Sequence, residues 1–150
     1  MSSLRRDAVR VVVPATSANL GPGFDSAGLA LALHDDLVAM VSDDPGVLVE
    51  VEGEGVDSVP RDEANLVAQC MRLAFGWLGV EPAGFVLRCT NRIPQGRGLG
   101  SSAAAIVGGL ALGRALVDDG TERMTDADLL QLAITRESHP DNLAAALFGG

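Results

Sequence analysis

Lysine is missing altogether; all 11 basic residues are arginine. A chain without a lysine ammonium cannot carry a Walker-type phosphate loop, the strand lysine of protein kinases, Schiff-base chemistry or a pyridoxal-phosphate attachment. Basic residues of any kind are few. Against 20 acidic residues they leave a formal net charge of −9, which repels a phosphate backbone and disfavours nucleic-acid binding. Arg5, Arg6 and Arg10 form the one basic cluster and are expected as a solvated N-terminal end. Cysteine and histidine number two each, far apart, and do not make a zinc site. Cys70 and Cys89 lie in apolar stretches and are expected as buried, reduced thiols. Long apolar runs are absent too. Val9 to Val13 is too short for a secretory signal and ends at Pro14. Ala103 to Gly113 falls well short of the ~18 residues of a membrane span, so a cytoplasmic protein is expected. What remains is a 150-residue chain, 47% hydrophobic and 21% charged. That is enough for one folded domain with a core.

Val9 to Val13 is β-branched and stops at a proline, which predicts a strand. Gly28 to Val41 fits strand or helix, and its neighbours favour extended structure. Val47 to Glu52 alternates apolar and polar residues, the mark of a half-exposed strand. Apolar residues between Glu63 and Gly79 recur at helical spacing, with Gly79 as the stop. Gly84 to Asn91 predicts another strand. Ser101 to Val117 is apolar on nearly every face and predicts a buried helix. Thr125, followed by Asp126 and Asp128, predicts an N-cap and a helix running towards Glu137. The order β, β, β, α, β, α, α predicts an α+β fold, a sheet with helices packed on one side. It argues against a dinucleotide-binding fold.

The stretch Pro94-Gln95-Gly96-Arg97-Gly98-Leu99-Gly100-Ser101-Ser102-Ala103-Ala104 is the most informative. Glycines at alternate positions let a backbone turn tightly and approach a ligand. A helix starts directly afterwards. Its first N–H groups lack partners, and its end carries about half a positive charge. Together these make a site for a di- or triphosphate. Ser101 and Ser102 add hydroxyls for phosphate or magnesium, and Arg97 adds positive field. A plain strand–turn–helix corner, with Ser101 as cap, accounts for the same glycines.

Two more segments concentrate polar groups. After Pro14, the run Ala15-Thr16-Ser17-Ala18-Asn19-Leu20-Gly21-Pro22-Gly23-Phe24-Asp25 presents an amide and a carboxylate on a glycine turn. Glu137-Ser138-His139-Pro140-Asp141-Asn142 packs two acids, an imidazole and an amide into six residues. Read alone, the first is also a turn held by its own Asn and Asp, and the second an ordinary interhelical corner.

Pro94 with Gly98-Leu99-Gly100-Ser101-Ser102-Ala103-Ala104 resembles the nucleotide-phosphate motif of the GHMP small-molecule kinases. The segments at 14–25 and 139–142 resemble the homoserine kinases within that group. The likeness runs from about Val9 to Gly150. Ser138 departs from the glycine many of these enzymes have there, and Leu143-Ala144-Ala145 departs from their Val-Ala-Pro.

The resemblance implies a GHMP N-terminal domain containing a left-handed βαβ unit. It implies ATP held by Pro94, Gly96, Arg97, Gly98, Leu99, Gly100, Ser101, Ser102 and Ala103, with Asn65 near the adenine. It implies Mg²⁺ at Ser102 and Glu137. Homoserine would lie against Asn19 and Asp25, with His139 and Asp141 opposite and Asn142 on the attacking hydroxyl. Asn142 and Glu137 are thus the expected catalytic pair, with no dedicated base. It also implies a second, C-terminal domain whose arginines hold the substrate carboxylate. On that basis the 150 residues are expected to be a truncated N-terminal half with little activity alone. An uncovered docking face would favour a homodimer. Another GHMP kinase, or a non-catalytic nucleotide-binding fragment, is the alternative.

Overall fold

Alternating β-branched residues and well-capped apolar helices build a four-stranded mixed sheet with helices on one face. The computed structural model describes residues 3–14, 34–57, 59–93 and 101–136. Strands β1 (Val9–Pro14), β2 (His34–Ser42) and β3 (Gly46–Gly53) come first. Helix α1 (Leu66–Leu78), strand β4 (Gly84–Asn91) and helix α2 (Ser101–Ala115) follow. The short α3 (Gly120–Arg123) and α4 (Asp126–Ile134) complete the order. The sheet runs β1-β2-β4-β3, with β1/β2 and β2/β4 antiparallel and β3/β4 parallel. The expected α+β class is therefore what forms, and β3–α1–β4 is its parallel βαβ unit. Residues 28–33 of the expected second strand lie outside the described residues.

Period-two alternation puts Leu37, Ala39 and Val41 of β2 on the inner face beside Phe85, Leu87 and Cys89 of β4. The outer face carries a row of apolar residues across three strands: Met40 opposite Val86 and Val86 opposite Leu48. Met40 and Leu48 are exposed.

Asn65 caps α1 by accepting from the Ala68 N–H (3.1 Å), and Gly79 ends it in the left-handed region at φ 76°. The Gly79 and Val80 N–H groups return to the Gly76 and Phe75 carbonyls, a Schellman closure. Helix α2 packs against β1, β2, α1, α3 and α4, which is why its sequence is apolar all round. Its small residues set the spacing. A Cβ on Gly109 would lie 2.5 Å from the Val67 carbonyl oxygen and 2.7 Å from Cys70 Cβ. One on Gly113 would lie 2.7 Å from Ala74 Cβ.

Three expectations need correction. The arginine cluster is exposed but not simply solvated. Arg10 forks onto Asp36, Arg6 meets Asp43 at 2.8 Å and Arg5 meets Asp118 at 3.9 Å. Backbone bonds also fix that arm to the end of α2, with Arg5 N–H donating to the Leu116 carbonyl at 2.7 Å. The helix begun by Thr125 has the expected cap, a reciprocal box with Asp128, but stops at Ile134. Thr135 and Arg136 bond three residues back, to Leu132 and Ala133, so the last turn tightens before Glu137. The one-turn α3 was not anticipated; a stretch that short has no periodicity to detect. Among the described residues, no helix is long and apolar enough to cross a membrane.

Candidate functional site

A cavity of about 230 Å³ opens between the N-terminal ends of α1 and α2 and the adjoining edge of the inner sheet face. Apolar surface comes from Leu37, Val59, Leu66, Val67 and Ala105, and polar groups from Asp35, Asn65, Asn91 and Ser102. An apolar slot with a few fixed polar groups is what a flat, partly polar ligand requires.

Of the residues expected to hold ATP, Asn65, Ser101, Ser102 and Ala103 fall in the described part. Ser101 opens α2 as expected, Ser102 lines the cavity and Ala103 is buried. Pro94, Gly96, Arg97, Gly98, Leu99 and Gly100 lie outside the described residues, as do Asn19, Asp25, Glu137, His139, Asp141 and Asn142. Asn65 borders the cavity, but its amide is largely engaged. Its Oδ1 accepts from Ala68, and its Nδ2 donates to the Pro60 carbonyl at 2.9 Å. One N–H and one lone pair are left for a ligand. Its side chain first of all holds the helix start and the 60–65 turn together.

The sequence reading passed over two cavity residues, Asp35 and Asn91. Asp35 is only 7% exposed. Its Oδ1 accepts from the Arg92 N–H (2.7 Å) and the Ile93 N–H (2.9 Å). Burial pushes its carboxyl above the ordinary range, while those two N–H groups, His34 and Arg92 pull the other way. The Arg92 guanidinium meets His34 Nε2 at 3.1 Å. A signal for Asp35 was present in the sequence. In an alternating strand it shares a face with Leu37, Ala39 and Val41, so of Asp35 and Asp36 it is the first that must point inward. Asn91 closes the far side. Its Nδ2 donates to the Glu54 carbonyl (3.4 Å), and its own carbonyl accepts from the Glu54 N–H (2.8 Å).

Cys89 also borders the cavity, yet it is no nucleophile. Burial pushes its thiol up to about 12 and that of Cys70 up to about 11, Arg136 pulling back on the latter. Both thiols are free and buried, as expected. We expect iodoacetamide at pH 8 to leave both unmodified in the folded chain and to label both within minutes in denaturant. Rapid native labelling, read by mass spectrometry, would contradict this.

Among the described residues no cluster of His, Cys, Asp and Glu could hold a metal ion by itself. Magnesium does not need one. It keeps waters and phosphate oxygens and takes one or two protein ligands, and a hydroxyl such as that of Ser102, at the cavity edge, is of the kind it accepts.

The family described as the GHMP kinases N terminal domain matches residues 65–150. The homoserine kinase of Streptomyces coelicolor is 54% identical over 148 residues, 99% of this chain and 48% of that protein. The crystal structure of homoserine kinase from Cytophaga hutchinsonii superposes with a TM-score of 0.74 at 30% identity, covering 100% of this chain and 49% of that one. The mevalonate kinase of Methanococcus jannaschii has the same fold, with a TM-score of 0.64 at 13% identity, covering 96% of this chain and 52% of that one. The chain spans about half the length of the curated relatives it matches.

Proposed function

Because the chain belongs to the GHMP kinases through their N-terminal domain, we propose that it forms the nucleotide-binding half of a homoserine kinase, which transfers the γ-phosphoryl group of ATP to the side-chain hydroxyl of L-homoserine. The observation that carries this reading is the cavity at the head of α2, lined by Ser102, where the Gly-Leu-Gly-Ser-Ser sequence runs into the helix. In the reaction the homoserine oxygen forms the new bond to the γ-phosphorus, the bond to the ADP oxygen breaks, and the hydroxyl proton is lost to solvent.

Such a transfer needs in-line alignment and charge neutralisation more than a strong base. N–H groups at Gly96, Gly98, Gly100, Ser101 and Ser102 take the phosphates, with Arg97 nearby. The base enters the apolar slot beside Asn65. Ser102 and Glu137 serve Mg²⁺, which neutralises phosphate charge when bound. Asp25 takes the substrate ammonium, Asn142 its hydroxyl, and Asn19, His139 and Asp141 frame it. The reading further takes the protein to be cytoplasmic and to act on a free small molecule rather than on nucleic acid or a membrane.

The test joins the chain to the second half of the Streptomyces coelicolor relative and assays homoserine, threonine and mevalonate side by side. Transfer to homoserine at least about a hundredfold above the other two, near 2.7 kcal/mol of discrimination, is expected. Preference for mevalonate would make the chain a different GHMP kinase. Nucleotide binding without any transfer would leave it a binding domain.

A further inference from the structure

Asp35 has no part in the proposed transfer, yet it is one of three buried polar or charged residues among those described. Its partners explain the burial. The β2/β4 ladder ends at Asp36 opposite Thr90, and the β3/β4 ladder ends at Gly53 opposite Asn91. Past Asn91, Arg92 and Ile93 belong to neither ladder, and their backbone N–H groups take no partner from either. Ile93 is fully buried, so water cannot serve instead. Asp35 Oδ1 takes both, at 2.7 and 2.9 Å, across 57 and 58 residues of sequence. One carboxylate oxygen thus stands in for the next rung of the ladder. The chain proceeds from Ile93 directly into Pro94 and the glycine-rich stretch, and Asp35 itself lines the cavity.

We propose that Asp35 is a positioning residue for nucleotide binding: by holding the Arg92 and Ile93 N–H groups, it fixes where and in which direction the chain leaves β4 for the glycine-rich stretch. The proposal rests on the nucleotide reading of the cavity. It assigns Asp35 no contact with the reacting atoms. Its oxygen is needed as an acceptor, and its charge is not.

Two variants separate those requirements. Asp35→Asn keeps an oxygen where both N–H groups point, whereas Asp35→Ala takes the acceptor from both and strands the Ile93 N–H in the interior. Amide hydrogen exchange at Arg92 and Ile93, referred to the amides of α4, reads the anchor. Calorimetry with a non-hydrolysable ATP analogue and Mg²⁺ reads the site. Asp35→Ala is expected to speed local exchange and weaken analogue binding by at least about tenfold each. For binding that is about 1.4 kcal/mol, within what one stranded buried donor costs. Asp35→Asn is expected to stay within about threefold of the parent in both. If Asp35→Ala does not fold, Asp35→Ser, with a shorter acceptor, is read in the same way. Parent-like binding by a folded Asp35→Ala overturns the proposal. So does an Asp35→Asn as weak as the alanine variant, which would show that the charge matters. If the parent chain binds no analogue, the nucleotide reading falls and the positioning role with it. Protection from exchange lost only at Arg92 and Ile93 would then mark a purely structural anchor.

Discussion

Gly109→Val is expected to prevent the chain from folding, and Gly109→Ala to lower its stability by about 2 kcal/mol. Alanine favours a helix over glycine by about 1 kcal/mol, so the sign depends on space. At Gly109 the new methyl would meet the Val67 carbonyl oxygen at 2.5 Å and Cys70 Cβ at 2.7 Å. The first is backbone and cannot rotate aside. Forcing methylenes into such a contact costs about 1–3 kcal/mol and sometimes more, which exceeds the propensity gain. Valine adds two further carbons to the same contact. Gly76 provides the control. It lies in α1, and a Cβ there meets nothing within 4 Å. Gly76→Ala should therefore raise stability by roughly 0.5–1 kcal/mol. Thermal melts of the two alanine variants should move in opposite directions, by about 2–4 °C per kcal/mol for a chain of this size. A stabilising Gly109→Ala would mean that α1 and α2 sit further apart than described.

The second large effect concerns turnover. The 150-residue chain alone is expected to phosphorylate homoserine at least about a thousandfold more slowly than the same chain joined to the second half of its Streptomyces relative. Effective molarities for well-aligned reactants reach about 10⁵ M and above, and alignment demands that both ends of the substrate be held. The groups proposed here grip the ammonium and the hydroxyl. The resemblance assigns the carboxylate to the other half. A thousandfold is about 4 kcal/mol, within what one unheld charged group can cost an alignment-driven reaction. Rates measured by ADP release, with and without the added half, decide it. Equal rates would show that the 150 residues complete the site.

Much of the scaffold was legible because local chemistry dictated it. Val9 to Val13, Val47 to Glu52 and Gly84 to Asn91 could bury a face only as strands. Gly79 ends α1 as expected because it tolerates a left-handed turn. Thr125 and Asp128 announce α4 for the same kind of reason. What escaped was whatever depends on distant partners. The order β1-β2-β4-β3 leaves no trace in spacing. Strand alternation turns Asp35 inward, but its partners, the Arg92 and Ile93 N–H groups, come from nearly sixty residues away and leave no mark beside it. Asn65 escaped differently. The family likeness gave it a ligand role, whereas its geometry shows an amide mostly occupied in folding the corner beside the cavity.

Helix α2 is held by two strands and three helices, with glycines where a bulkier seam would leave slack. It behaves less like a lever than like an axle seated in its bearings. Any ligand that reached its N-terminal end would therefore meet a helix already fixed in place.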